Sequence, residues 1–522
     1  MKKYLNSAYI LAIAAIMATG CKKFVDVNQN PNEQTSTKAE YVFSGMLNRA
    51  YAYQASITSN ATGGEWVGYY ANSTSYTGGG NLKQYVYTAQ DFNAGYTTAF
   101  DVLGDIQYVI DNARKEGKPE FYWPSQIMKA FMFQKVVDFY GDVPYKEAFR
   151  GVNDITPAFD KQQVIYEDLV KMLDSAINKI PGETWSTEPN LVRQDLYFKL
   201  NKTNWVRFAN TLKLRILMRQ SFMPGRDAYI TSNINSTASA GYITNDVRYN
   251  PPFQKQSGKL NPFYGNFILE TDVDNGTSYK FYKINKVMTD WLKYSGTTSL
   301  ANADTFRLLT TVYPKGTAPT AASLVLTNYV GIPLGASTGY STSASSPIGP
   351  FQVKRGDATR DAIVMTLAES FFLRAEAAQR YGITFASTAK DLYESGVRAH
   401  YKLLSEYAPA PLVAADYDKY ALRYLARPLA NVNWDSSPDK IKAILLQKWV
   451  ALFNVDGGES WAEYRKASGT TSVGVPASVR STIADPSKSE PNRFIYPTIA
   501  YDANRANVPQ ITYNSKIFWD VN

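Results

Sequence analysis

A single cysteine, Cys21, and a single histidine, His400, in 522 residues set the terms on which this chain can fold. An intrachain disulfide needs two thiols, and a structural zinc site needs a cluster of Cys and His. Stability therefore has to come from packed apolar surface, and 45% hydrophobic against 19% charged residues is the composition of a chain that buries a large core. The thiol also stands at an informative place. Lys2 and Lys3 make a basic start, Tyr9 to Ala18 (YILAIAAIMA) is a short apolar run, and Ala18-Thr19-Gly20 are small residues directly before Cys21. These are the parts of a secretory leader over residues 1–20. The apolar run is shorter than the ~20 residues a helix needs to cross a bilayer.

A Cys directly after such a leader resembles the bacterial lipobox, whose cysteine is lipidated and becomes the first residue of the mature protein. Ala18 stands where that motif usually has Leu. The alternative is an ordinary secreted protein with a stray thiol. On the lipobox reading, acyl chains contributing about 0.8 kcal/mol per buried methylene hold a soluble body on a membrane. Residues 22–36 (KKFVDVNQNPNEQTS), rich in Asn, Gln and Pro, read as a tether that reaches about 50 Å when extended. Residues 21–36 are thus the lipidated N-terminus and tether, and 37–522 are expected to form one domain. Beyond the leader no apolar window approaches membrane length. The formal charge of +9 is spread along the chain without a nucleic-acid-binding motif, so the basicity is expected to be solvated surface. The 38 Tyr and 9 Trp suit a protein that makes many amphipathic contacts.

Helical patterns dominate. Phe100, Leu103, Ile106 and Ile110 follow helical spacing, with Gly117 where a C-cap belongs. A second helix is expected to open with Pro124 in its first turn and close at Gly141. In a third, Asp160 is expected to cap, with Gln163 reaching back, ahead of the stripe Ile165, Leu169, Met172, Leu173, Ala176 and Ile180. Thr203–Gln220 (TNWVRFANTLKLRILMRQ) reads as a basic amphipathic helix. From about 233 to 356, Gly, Pro, Ser and Thr abound, with short β-like runs such as SLVLTNYVGIPL and the turn signal Asn275-Gly276; loops and hairpins laid on a helical frame are expected there. Helical pattern returns with a capping box at Thr366 and Glu369, and a second helix follows in STAKDLYESGVRAHY. The two resemble a tetratricopeptide helix pair.

FYGDVPYKEA (139–148), NWVRFANTLKLRILMR (204–219), MTLAESFFLRAEAAQRYG (365–382), LLQKWVALFNVDGGESWAEYRK (445–466) and NRFIYPTIAYDANRANV (492–508) look like successive blocks of the SusD/RagB nutrient-binding lipoproteins. The start CKKFVDVNQNPNE fits as well, and the SusD-like 2 branch is the nearest. Such lipoproteins often carry acidic residues just after the Cys, where this chain has Lys22 and Lys23. The resemblance implies a mainly α, superhelical fold with tetratricopeptide-like helix pairs and a loop-rich face. It also implies a lid on a SusC-type TonB-dependent outer-membrane barrel, lipid-anchored and facing the cell exterior, capturing a glycan or, as in RagB, a peptide.

Sugars present apolar C–H faces and hydroxyl edges, which Trp and Tyr platforms flanked by polar side chains bind. GGEWVGYYANSTSYTGGG (63–80) sets Trp66, Tyr69, Tyr70 and Tyr76 around Asn72 in a Gly-rich context that favours loop. These are the leading ligand-binding candidates, unless the rings pack the loop onto the helices. Trp291 and Tyr294 are the second set. Trp205, Trp449 and Trp461 sit at helical positions and are expected in the core.

Enzymatic readings find little footing. Glu459 and Glu463, four apart, could supply a glycosidase's paired carboxylates, but beside Arg465 and Lys466 they read as an ordinary charged helix surface. Asp272–Gly276 (DVDNG) lacks the spaced ligands and terminal Glu of a calcium loop. His400 has no adjacent nucleophile motif, and there is no phosphate loop. No cofactor or metal is expected. Besides a binding protein, the remaining classes are a surface glycan-degrading enzyme and a helical-repeat scaffold that binds only protein.

Overall fold

Helix follows helix through the computed structural model, which describes residues 37–76, 80–151, 154–267, 277–294, 303–316, 321–352, 357–467, 475 and 479–521. The leader, Cys21, the tether and the Asp272–Gly276 turn lie outside these residues. The long helices are α1 (Ala39–Gln54), α2 (Asn93–Lys115), α3 (Pro119–Tyr140), α4 (Gln162–Lys179), α5 (Lys202–Met218), α6 (Leu367–Tyr381), α7 (Ala389–Ser405), α8 (Lys440–Leu452) and α9 (Gly457–Ala467). Each of α1 to α4 packs on the next, α4 on α5, α5 on α6, and α6 on both α7 and α8. The chain closes on itself where α9 packs against α3 and the short helix Thr62–Trp66. The fold is mainly α, with three two-stranded sheets among the described residues.

Local sequence explains several boundaries. Gly117 has φ +65°, and Lys118 N–H donates to the Ala113 carbonyl, so α2 ends in the left-handed glycine turn its sequence predicts. Pro119, not Pro124, opens α3; Pro124 lies inside the helix. From Ile127 to Tyr140 nearly every α3 side chain is buried, because the helix is surrounded rather than laid on a surface, so no single apolar stripe marks it. Asp160 does not cap α4. β2 (Val143–Pro144) pairs antiparallel with β3 (Phe159–Asp160), and this brings Asp142 to the helix start, where Oδ1 accepts the Gln162 N–H at 3.0 Å. Asp160 instead accepts from the Tyr145 and Lys146 amides.

The helix pair α6/α7 matches its sequence closely. A Cβ on Gly396 would lie 2.6 Å from the buried Phe372 ring, so only glycine lets the helices approach this closely. Gly382, with φ +64°, ends α6, and Thr388 and Asp391 form a reciprocal capping box on α7. The box expected at Thr366 is half made: Thr366 Oγ1 accepts the Glu369 amide, but the Glu369 carboxylate is committed to Arg215.

Residues 233–356 form no hairpin among the described residues. Their strands are too short to stand alone and pair with distant chain: β4 (Val247–Tyr249) with β6 (Ala362–Met365), and β5 (Tyr282–Ile284) with β1 (Tyr70–Asn72). The SLVLTNYVGIPL run holds a single 3₁₀ turn, Leu326–Asn328, and one bridge from Ile332 to Asn285.

The basic helix is the largest departure from expectation. Lys213, Arg215 and Arg219 are all buried. Arg215 pairs with Glu369, and Arg219 with Glu459 and Glu463 and, at 3.5 Å, with Asp138. Lys448 and Lys466 reach Glu463 at 3.1 and 2.9 Å, Lys466 reaches Glu376 at 3.1 Å, and Lys135 reaches Asp456 at 2.5 Å. Part of the basicity read as solvated surface thus lies in an ionic layer through the core, joining α3, α5, α6, α8 and α9.

Candidate functional site

Four of the seven residues expected to bind ligand are core residues. Trp66, Tyr69, Tyr70 and Asn72 are 5%, 0%, 0% and 5% exposed. Trp66 lies 4.6 Å from the Trp461 ring and 5.7 Å from Phe494, which itself stacks on Phe92 at 4.3 Å. The Tyr69 hydroxyl donates to the Trp449 carbonyl, and the Tyr70 hydroxyl donates to Asn454 Oδ1 at 2.9 Å. The physical reason lies in the glycines. A Cβ on Gly63 would come 2.7 Å from the Gly457 carbonyl oxygen, and one on Gly457 would come 2.2 Å from the Asn60 carbonyl oxygen. The Gly63-Gly64 and Gly457-Gly458 pairs let two helices meet backbone to backbone. They signal close approach, not loop, and the rings beside them fill the crossing. Trp205, Trp449 and Trp461 are buried as expected.

Tyr76 is different. β1 ends at Asn72 opposite Tyr282 of β5, and the Ser73 amide donates to the Phe281 carbonyl at 2.8 Å. The Thr74 amide donates to the Tyr340 carbonyl at 2.9 Å, and the Thr342 amide to Ser75 Oγ at 3.0 Å. These bonds set Tyr76 and Phe281 edge to face, 6.2 Å apart, both half-buried, with Lys83 Nζ 5.6 Å from the Phe281 ring centre. The Asn72 side-chain amide donates to Glu65 Oε1 at 2.8 Å. Burial pushes the Glu65 carboxyl up against the opposing pull of Lys83 and Asn72, and burial pushes the Lys83 ammonium down against Glu65. The result is an aromatic rim with a cation at its edge, while Asn72 is committed to Glu65. Such a rim can stack on the apolar face of a ring and donate charge-assisted hydrogen bonds to hydroxyls.

The second pair of candidates does not join this rim. Trp291, on the short helix Lys286–Lys293, sits half-buried 6.2 Å from Trp449, edge to face. Tyr294, at φ +53°, lies under Arg427, 5.4 Å from its guanidinium carbon, and packs with the cluster beneath α6 to α8. Phe281, Lys83, Glu65 and Tyr340 were not singled out by the sequence: the pairing of β1 with β5 brings Phe281 beside Tyr76, and the Thr74 amide's bond to the Tyr340 carbonyl brings that residue alongside.

Glu459 and Glu463 face inward, not outward as expected. Burial alone would raise both carboxyls, but Arg219, Arg215 and Lys448 outweigh it at Glu459, and Lys448, Lys466 and Arg219 at Glu463, so both are held below the usual range. Carboxylates bound up with cations in this way lack the proton a glycosidase's acid must donate. His400 is buried, and burial followed by the nearby Arg307 charge pushes its imidazole well below the ordinary value. Among the described residues no group of three or more His, Cys, Asp or Glu is placed to hold a metal ion, and no helix is long and apolar enough to cross a membrane.

Residues 31–497 match the model of the SusD-like 2 family, described as "Starch-binding associating with outer membrane". The chain belongs to this SusD-like family. Among solved structures, it is similar to a chitin-binding protein (22% identity, TM-score 0.70, covering 92% of this chain and 99% of that one). A SusD homolog from Bacteroides fragilis is similar too (18%, TM-score 0.71, 93% and 99%), as is a chitin-binding SusD homolog from Flavobacterium johnsoniae (21%, TM-score 0.66, 92% and 99%). No curated protein matches the chain in sequence. At these identities the structural likeness establishes the SusD-like fold, and the family is one of binding proteins rather than enzymes.

Proposed function

We propose that this protein captures a glycan at the outer membrane and passes it, unmodified, to a SusC-type TonB-dependent barrel, held to the membrane by lipidated Cys21 and facing the cell exterior. The observation that carries the ligand reading is the half-buried Tyr76–Phe281 pair with Lys83 at its edge. Rings presented edge to face leave one apolar face for a sugar, and the neighbouring cation and hydroxyls can meet its edge. The family description and the chitin-binding relatives favour a saccharide over a peptide. The leader-like sequence before Cys21 supports the anchoring, and family membership supports an outer-membrane partner.

The test is calorimetric titration of the protein without residues 1–20 against chito-oligosaccharides, malto-oligosaccharides and short peptides, with product analysis of each mixture. Saccharide binding without cleavage is expected. Cleavage, or binding of peptides alone, would overturn the glycan reading. Co-purification in mild detergent with a much larger membrane protein is expected of the anchored form, and its recovery only as a free monomer would overturn the transporter role.

A further inference from the structure

A second cleft lies away from the aromatic rim, between α5, the turn Ala238–Gly241 and α6 with the segment Thr384–Ala386 that follows it. Its volume is about 520 Å³, within the roughly 300–1,000 Å³ of small-ligand sites. Two guanidinium groups line it, Arg207 from α5 and Arg374 from α6, and its apolar walls are Tyr242, Phe371 and Phe385. Arg374 is clasped by rings, its guanidinium carbon 4.4 Å from the centre of Phe371 and 5.5 Å from that of Tyr242. Its Nε donates to the Ser370 carbonyl at 3.2 Å, which leaves the two terminal nitrogens to the cleft. Phe385 meets Tyr242 edge to face at 5.5 Å. Gly241, at φ +72°, keeps the wall low beside Arg207: a Cβ there would stand 3.6 Å from Arg207 Nε.

Several cations of this fold are matched by anions. Arg215, Arg219, Arg307 and Arg248 each face a carboxylate. Among the described residues, Arg207 and Arg374 face none. Burial pushes the Arg374 guanidinium down to about 10, with only Tyr242 acting in the other direction. A planar guanidinium fork matches a carboxylate in two parallel hydrogen bonds, and aromatic walls match the face of a ring.

We infer that the Arg207–Arg374 cleft binds an acidic saccharide, with the carboxylate of a uronic acid held by the two guanidinium groups and its ring against Tyr242, Phe371 and Phe385. The choice of a sugar to carry the carboxylate rests on the glycan reading above; the cleft itself is separate from the Tyr76–Phe281 rim.

Titration of the protein without residues 1–20 with glucuronate, glucose, acetate and inorganic phosphate tests this. Glucuronate is expected to bind at least about tenfold more tightly than the other three, since glucose lacks the charge and the two small anions lack the ring, and the affinity is expected to fall with added salt. Arg374→Gln and Arg207→Gln are each expected to weaken glucuronate binding at least about tenfold. If Arg374→Gln lowers the melting temperature through lost ring packing, Arg207→Gln decides, since that side chain holds no hydrogen bond among the described residues. Phe281→Ala should leave glucuronate binding unchanged, and Arg207→Gln should leave neutral-glycan binding unchanged, so the two sites can fail separately. No glucuronate binding at millimolar concentration, equal binding of glucose, acetate or phosphate, or an unaffected Arg207→Gln variant would overturn the inference.

Discussion

Arg215 on α5 grips Glu369 on α6 with two parallel hydrogen bonds, Nε to Oε1 at 2.7 Å and Nη2 to Oε2 at 2.8 Å, across 154 positions of sequence. The pair begins an ionic layer that continues through Arg219, Glu459, Glu463, Lys448, Lys466 and Glu376. A buried ion pair is weak evidence for stability, because desolvation offsets much of the attraction; removing one partner is costly, because the other is left buried and unmatched.

Glu463→Gln is therefore expected to destabilise the protein by about 3–5 kcal/mol at pH 7, since it leaves Arg219, Lys448 and Lys466 short of an anion. The pH dependence follows from its depressed folded-state pKa. Glu463 contributes stability fully above the unfolded carboxyl value of about 4.3, and this contribution is lost as pH falls toward the lower folded value. The gap between wild type and Glu463→Gln in urea unfolding should accordingly narrow from pH 7 to pH 3, and a constant gap would contradict the account. Asp138 has the opposite sign. Burial outweighs Arg219 and raises its carboxyl, so its protonation on acidification favours the folded state.

Gly396→Ala offers a test by sign. In an exposed helix the change would stabilise by up to about 1 kcal/mol. Here the new Cβ would meet the buried Phe372 ring at 2.6 Å, and overpacking is expected to cost about 1–3 kcal/mol. Thermal melting distinguishes the two outcomes.

Trp66→Ala should behave as a core truncation. The ring packs on Trp461, Phe494 and Tyr87, so its loss is expected to cost about 3–5 kcal/mol and lower the melting temperature markedly. An unchanged melt, with weakened ligand binding, would return Trp66 to the surface role its sequence context first implied.

Trp66 also shows where the sequence misleads. Glycines around aromatic residues read as loop, yet the same glycines serve two helices that cross in contact, and nothing local separates these uses when the partner glycines lie almost 400 positions away. The frame was more legible. Gly117, Gly382 and the Thr388–Asp391 box mark helix ends by interactions within one turn of chain, and the α6/α7 pair is joined by a short connection. Asp142 took the cap assigned to Asp160 because a two-residue strand pairing brought it there. The ionic layer did leave a trace: Arg215 and Arg219, and Glu459 and Glu463, are pairs of opposite sign, each four apart on one helix face. The segments that carry the family resemblance supply most of this layer and one side of the aromatic crossing, whereas Tyr76, Phe281 and Lys83 of the rim lie outside them. Family membership was therefore easier to read than the site.

Cys21→Ala is expected to release the protein from the membrane fraction when the barrel partner is absent, because a lipid chain is the proposed anchor and no described helix can span a bilayer. Fractionation with mass analysis of the N-terminus checks this. Unchanged membrane association would contradict the anchor.

If the Tyr76–Phe281 rim holds a saccharide, calorimetric titration of the best-binding oligosaccharide into wild type, Tyr76→Ala, Phe281→Ala and the double variant, with melting curves of each, will show it. Both rings are half-buried at the surface, so each truncation is expected to weaken binding by about 1–2 kcal/mol while shifting the melting temperature little. Undiminished binding by the double variant, folded as judged by its melt, would contradict the account.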